Sequence, residues 1–189
     1  MTHQEAFIRL KEGNRRFVSD TLERKQQGCS RRKALALGQS PFAILLSCAD
    51  SRVVPELIFD TGLGELFTVR IAGNIANTSS MASIEYAVAH CGSKLIVVLG
   101  HQSCGAVTAA VNGGEFGSNL KHLLAHVRPA VEASADKNQI NEVIKLNAKM
   151  TADVLKNQSD IIRNAVDSGE VKIIPAYYNL DSGAVDFFD

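Results

Sequence analysis

The sequence predicts an α/β protein: a mainly parallel central sheet flanked by helices, with an N-terminal helical arm and a C-terminal β-hairpin. Three observations carry that prediction. Two apolar runs, Phe42-Ala43-Ile44-Leu45-Leu46 and Leu95-Ile96-Val97-Val98-Leu99, have the length and branched composition of strands buried on both faces. Strand-like and helix-like stretches alternate along the chain, as a parallel sheet with helical crossovers requires. No internal repeat or low-complexity linker interrupts them, and 189 residues suit one domain with a proper core. The expected organisation is a single domain over 1–189, with a helical arm over 1–38 and an α/β core over 39–189.

Taken in order, residues 3–18 read as an amphipathic helix with Phe7, Leu10, Asn14 and Phe17 near one stripe. That stripe is an expected surface for a second subunit. A polar stretch follows, then a short helix over 31–37 that stops at Gly38. After the first strand, Pro55 to Phe59 suggests another short helix, and Leu66 to Arg70 a second strand. Gly62 and Gly64 precede that strand and lack a third glycine, so they mark a turn and not a dinucleotide fingerprint. Ser79 or Ser80 can cap a helix through Ala89 that ends at Gly92. The third strand runs into His101, and a helix then begins near Cys104 and stops at Asn112-Gly113-Gly114. Residues 120–131 and 141–166 are helical by periodicity. Val171 to Tyr178 is a strand, and Asp181-Ser182-Gly183 turns it into a final one over 184–188.

Composition excludes several classes of function. Twenty basic residues balance twenty acidic ones, so nothing asks for nucleic acid or an anionic membrane. No apolar run is long enough to span a bilayer, and the start Met1-Thr2-His3-Gln4-Glu5 lacks the regions of a signal peptide. The expected location is cytoplasmic, where the four cysteines stay reduced and metal binding outranks disulfides. Cys29 and Cys91 have no ligand-like neighbours and read as ordinary thiols. His122 and His126 stand four apart on a predicted helix, but with no third ligand near them they read as packed or solvent-facing.

The chemistry collects at two strand ends. Cys48-Ala49-Asp50-Ser51-Arg52 follows the first core strand, and His101-Gln102-Ser103-Cys104-Gly105 follows the third. In open α/β sheets, sites form just beyond the carboxyl ends of the strands. Cys48 and Asp50 can turn into one crevice, and His101 and Cys104, three apart where a helix begins, share a face. Cys and His are preferred ligands of Zn²⁺, which takes four groups in a tetrahedral site. A zinc site of Cys48, Asp50, His101 and Cys104, with one Zn²⁺ per chain, is the expectation. Two thiolates and a neutral imidazole leave the ion formally neutral, so Asp50 as a fourth ligand closes the site and makes it anionic. Arg52 offers the carboxylate another partner through a bidentate fork, and Asp50 held there leaves the fourth position to water.

These motifs, with Gly13-Asn14-Arg15-Arg16-Phe17 and Ile84-Glu85-Tyr86-Ala87-Val88, resemble the β-class carbonic anhydrases across most of the chain. The resemblance implies a zinc lyase that reversibly hydrates CO₂ to bicarbonate and a proton. It makes Cys48, His101 and Cys104 the fixed ligands and Asp50 with Arg52 the catalytic dyad. Gln39 matches a residue that hydrogen-bonds the bound anion, Phe67 and Tyr86 match pocket aromatics, and Gly105 matches a backbone donor. In that family the pocket lies at a dimer interface. Gln39, Phe67 and Tyr86 would then serve the neighbouring subunit's zinc in a homodimer or homotetramer. A regulated subset binds bicarbonate elsewhere through a Trp, an Arg and a Tyr. Arg70 and Tyr178 fit the last two, but Leu45 stands at the Trp position and the chain has no Trp. Two competing readings keep the site: COS or CS₂ as substrate, or a purely structural zinc. The intact Asp50 and Arg52 favour CO₂ hydration.

Overall fold

A computed structural model describes residues 1–188. Its sheet has the order β2-β1-β3-β4-β5, where β1 is Ala43–Ser47, β2 Leu66–Arg70, β3 Leu95–His101, β4 Lys172–Tyr178 and β5 Val185–Phe187. β2, β1, β3 and β4 are mutually parallel, and β5 closes an antiparallel hairpin on β4. The two central strands are the two apolar runs of the sequence, buried along their whole length.

Side chains alternate across these strands and feed two apolar layers. Leu45, Val97 and Leu99 meet Leu10 of α1 (His3–Val18) and Ile58 of α3 (Pro55–Ile58) on one face. Ile44, Leu46, Ile96 and Val98 meet α4 (Thr78–Ala89), α7 (Ile140–Gln158) and α8 (Asp160–Asp167) on the other. A third cluster sits at the carboxyl ends of the strands. There Cys48 and Cys104 lie among Val107 of α5 (Gly105–Asn112), Val127 of α6 (Ser118–Ala133) and Ile144 of α7.

Several expectations need correction. The stripe of α1 covers its own chain: Leu10 is fully buried, Phe7 packs edge-on against Phe187 at 4.9 Å, and only Ile8 and Val18 remain exposed. Asn14 in that stripe is structural, donating to the Ile58 and Gly183 carbonyls and accepting from the Val185 N–H. The short helix of the arm is α2 (Cys29–Ala34), continued by a 3₁₀ turn over Leu35–Leu37. Asn77, and not Ser79 or Ser80, caps α4; Ser80 is the reciprocal partner of that capping box. The long helix of 141–166 is broken at Ser159, which ends α7 and caps α8 through the Ile162 N–H. No helix of the described residues is long and apolar enough to cross a membrane.

Candidate metal centre

Because β1 and β3 are adjacent and parallel, their carboxyl ends deliver the two motifs to one place. The ligand atoms of Cys48, His101 and Cys104 all lie within 4.8 Å of one another, and all three residues are buried. The two sulfurs are 3.9 Å apart, far beyond a disulfide bond, and the cysteines are free thiols. Two sulfurs on a tetrahedral ion with bonds of ~2.3 Å would sit about 3.8 Å apart. The spacing therefore fits zinc.

His101 supplies an independent test of that fit. Its Nδ1 lies 2.9 Å from the Gln102 carbonyl oxygen, so the proton belongs on Nδ1 and the lone pair on Nε2. Nε2 is buried without a hydrogen-bond partner, a costly arrangement for a ring that nothing ligates. Among the described residues the other such atoms belong to Ser47, which precedes Cys48, and to Asn74. Orphaned polarity thus collects around the cluster.

The thiols are asymmetric before any ion binds. Cys104 chiefly, with smaller contributions from His101 and from the Asp50 and Gly73 amides, outweighs burial and pulls the Cys48 thiol down to about 4. Cys104 keeps the shared proton and is pushed up by Cys48 and by burial. Cys104 also stands at the N-cap of α5, where the Ala106 and Val107 amides draw it the other way. A helix start is a favourable seat for a thiolate ligand once a cation takes the proton's place.

Asp50 stands apart from these three. Arg52 grips it as a fork, Nε to Oδ1 at 2.9 Å and Nη2 to Oδ2 at 2.8 Å, and the Arg52 N–H adds a bond of 3.0 Å. Those bonds hold the carboxyl well below the usual carboxylate range. Oδ2 is still 3.9 Å from His101 Nε2, close enough to face whatever occupies the cluster. The arrangement is the open alternative of the two the sequence allows. Arg70, singled out in the sequence for a different role, braces this loop by donating to the Cys48 and Asp50 carbonyls at 3.1 and 2.7 Å.

The other expected residues lie elsewhere. Phe67 pairs in register with Ile44, four residues before Cys48, which places it roughly 13 Å back along the strands. Tyr86 on α4 is 51 % exposed and its ring is 6.3 Å from that of Phe67. Gln39 is exposed before β1. Gly105 is the first residue of α5, where the N–H has no intrahelical partner. Gly73 and Ser103, the latter at φ +54° between two ligands, carry no mark of their roles in the residue pattern.

Known proteins are similar to this chain over most of its length. The carbonic anhydrase family profile matches residues 43–185. The chain is 39% identical over 184 residues to carbonic anhydrase 2 of Mycobacterium tuberculosis, covering 94% of this chain and 89% of that protein. It is 37% identical over 187 residues to a carbonic anhydrase of Mycolicibacterium smegmatis, covering 96% and 91%. Among solved structures, a tetrameric β-carbonic anhydrase of Sordaria macrospora superposes with a TM-score of 0.76 at 28% identity, over 83% of this chain and 85% of that one. A parallel sheet carrying a buried Cys-His-Cys cluster at two strand ends, with these relatives, defines a metal-dependent lyase. The chain belongs to the β-class carbonic anhydrases.

Proposed function

We propose that Cys48, His101 and Cys104 hold one Zn²⁺ and that the enzyme reversibly hydrates CO₂ there. The observation that carries this reading is the buried three-ligand cluster with Asp50 drawn away onto Arg52. Zinc, when bound, supplies a Lewis acid that makes water a nucleophile near neutral pH. The chain does the rest. Two thiolates and a neutral imidazole cancel the charge of the ion, and Nδ1 of His101 fixes the tautomer through Gln102. Arg52 keeps Asp50 off the fourth position, and Oδ2 of Asp50 is the carboxylate oxygen placed to accept a hydrogen bond from the nucleophile. Gly105, at the start of α5, offers an N–H to the product anion.

Gln39, Phe67 and Tyr86 complete a pocket only through a second copy of the chain. Within one chain Phe67 is too far back along the sheet to touch its own cluster, while Tyr86 stands exposed. A homodimer or homotetramer would bring these residues to a neighbour's zinc, and the Sordaria macrospora relative is tetrameric. The zinc-binding unit is residues 39–189 with 1–38 as an arm, and the setting is the cytoplasm. Stopped-flow CO₂ hydration between about pH 6 and 9, with zinc content measured on the same sample, tests the assignment. One zinc per chain and a rate that rises with pH are expected. A zinc-loaded protein inert towards CO₂ leaves the structural reading, and one that turns over COS or CS₂ instead changes the substrate.

A further inference from the structure

Helix α7 is set unusually close to the strand that carries the imidazole. Gly100 immediately precedes His101, and a Cβ there would sit 3.1 Å from Ile144 Cγ2 and 3.5 Å from Ala148 Cβ. Both of those α7 residues are fully buried, so the helix is pinned at that height against β3. From this position α7 sends a buried amide towards the cluster. Asn147, 2 % exposed, donates through Nδ2 to the Gly73 carbonyl oxygen at 2.9 Å.

Gly73 is the residue whose N–H points at Cys48 Sγ. It adopts φ +71°, a conformation that glycine enters and leaves easily. Its carbonyl and its N–H belong to adjacent peptide units joined only by its own φ and ψ, so a bond to the carbonyl restrains the N–H by limiting that one flexible pair of angles. A hydrogen bond to a ligating thiolate withdraws electron density from the sulfur, and such outer contacts tune both affinity and acidity of a metal.

We propose that Asn147 is a positioning residue of the metal centre: by fixing Gly73 it aims the Gly73 N–H at the Cys48 thiolate. This inference rests on the zinc reading of the cluster. A contrast sits on the same helix, where Asn141 Oδ1 accepts from the Ser103 N–H at 3.2 Å in an exposed position open to replacement by water. The buried amide has no such substitute.

The test uses full-length protein loaded with Co²⁺ in place of zinc, where the thiolate-to-cobalt charge-transfer band reports electron density on sulfur. Asn147→Leu keeps the branched shape and the number of heavy atoms and removes the donor. Its band is expected to move to lower energy, and zinc affinity by chelator competition to fall by about 10- to 100-fold. Thr151→Val, one turn further along α7 and also buried, is expected to move neither. If Asn147→Leu does not fold, Asn147→Ser fits the space and is too short to reach Gly73, and the same shifts are expected of it. A folded variant with an unmoved band and unchanged zinc affinity overturns the role of Asn147, as does an equal shift from Thr151→Val. Failure of the zinc reading looks different: the wild-type protein itself would then show no thiolate-to-cobalt band.

Discussion

The two loops that meet at the metal centre are built by opposite means. The loop after β1 is held by charge. Arg70 ties down two of its carbonyls and Arg52 folds back onto Asp50, with both guanidiniums reachable by solvent. The loop after β3 is held mainly by backbone geometry and amides, with the Asp181 carboxylate and a longer contact from Arg52 at its edge. Ser103 takes a left-handed turn into α5, and Gln102 is clamped by the Leu180 N–H at 2.9 Å and by Asp181. Ion pairs near a surface can be traded for others, whereas a helix start fixed by its own main chain cannot. The lesson is a division of labour. The second motif carries two ligands on a turn set by its own main chain, and the first carries one ligand and the carboxylate paired with Arg52.

The largest effect should come from the fixed loop. Cys104→Ala is expected to strip most of the zinc and lower hydration by about a thousandfold or more, because three protein ligands are the minimum for retention. Elemental analysis and stopped-flow rates check it, and a variant with full zinc and full rate would dismiss the ligand set.

Next comes the movable side of the first loop. Arg52→Ala is expected to keep its zinc yet lose about a hundredfold or more in hydration, as the freed Asp50 takes the fourth position. Arg52→Lys should recover only part, since an ammonium cannot reproduce the fork. Zinc X-ray absorption near pH 8 separates a carboxylate from a water in that position. Finding water in both proteins would assign Arg52 to the substrate instead. The sign of the pH dependence follows from the lowered Asp50 carboxyl: its pairing with Arg52 is present above the ordinary value of ~3.9 and is lost only as pH falls through the still lower folded value. Activity changes between about pH 6 and 9 are therefore not titration of Asp50.

A gentler perturbation of the same loop is Arg70→Met, which removes the two carbonyl contacts and keeps the ligands. Zinc affinity by chelator competition should drop by about tenfold, within the range of outer contacts to a metal site. No change would mean that the loop is rigid without its brace, and the contrast between the loops would then disappear.

The smallest effect on the centre should come from Asp60, which lies under neither loop. Burial raises its carboxyl, but Arg16 and the Glu23 and Arg24 N–H groups outweigh that and hold it below its ordinary value. Its contribution is fully present above about pH 4 and is lost as pH falls through the folded value. Asp60→Asn should cost about 1–3 kcal/mol at neutral pH, with the gap to wild type closing in strong acid, and leave zinc affinity alone. Denaturant melts at two pH values read this out.

The parts of this molecule legible in its sequence are those where one physical signal acts alone. β1 and β3 are buried on both faces, so nothing but branched apolar side chains fits them, and the ligand motifs follow directly from where those runs stop. The break at Ser159 was hidden because apolar periodicity continues through it. Its marks are a capping serine ahead of Asp160 and a contact to Glu85 on α4 that only the folded chain creates. The supports of the site were hidden for the same reason. Arg70 and Asn147 act on backbone carbonyls of residues distant in sequence, which leave no residue-type signature, and Gly73 acts through its own N–H, which any residue but proline also has. The stripe of α1 showed its apolar character but not its addressee, since Phe187 and the β4–β5 turn lie at the far end of the sequence.

The clamp on Gln102 has a consequence in time. The residues that close it, Leu180 and Asp181, are made almost eighty positions after the loop they secure. While a ribosome is still extending the chain, Cys48, His101 and Cys104 have already been made without the Gln102 clamp. At a rate of about 5–20 residues per second, that interval lasts several seconds. The turn that follows β4 therefore reaches the metal centre late, after all three ligand residues have been made.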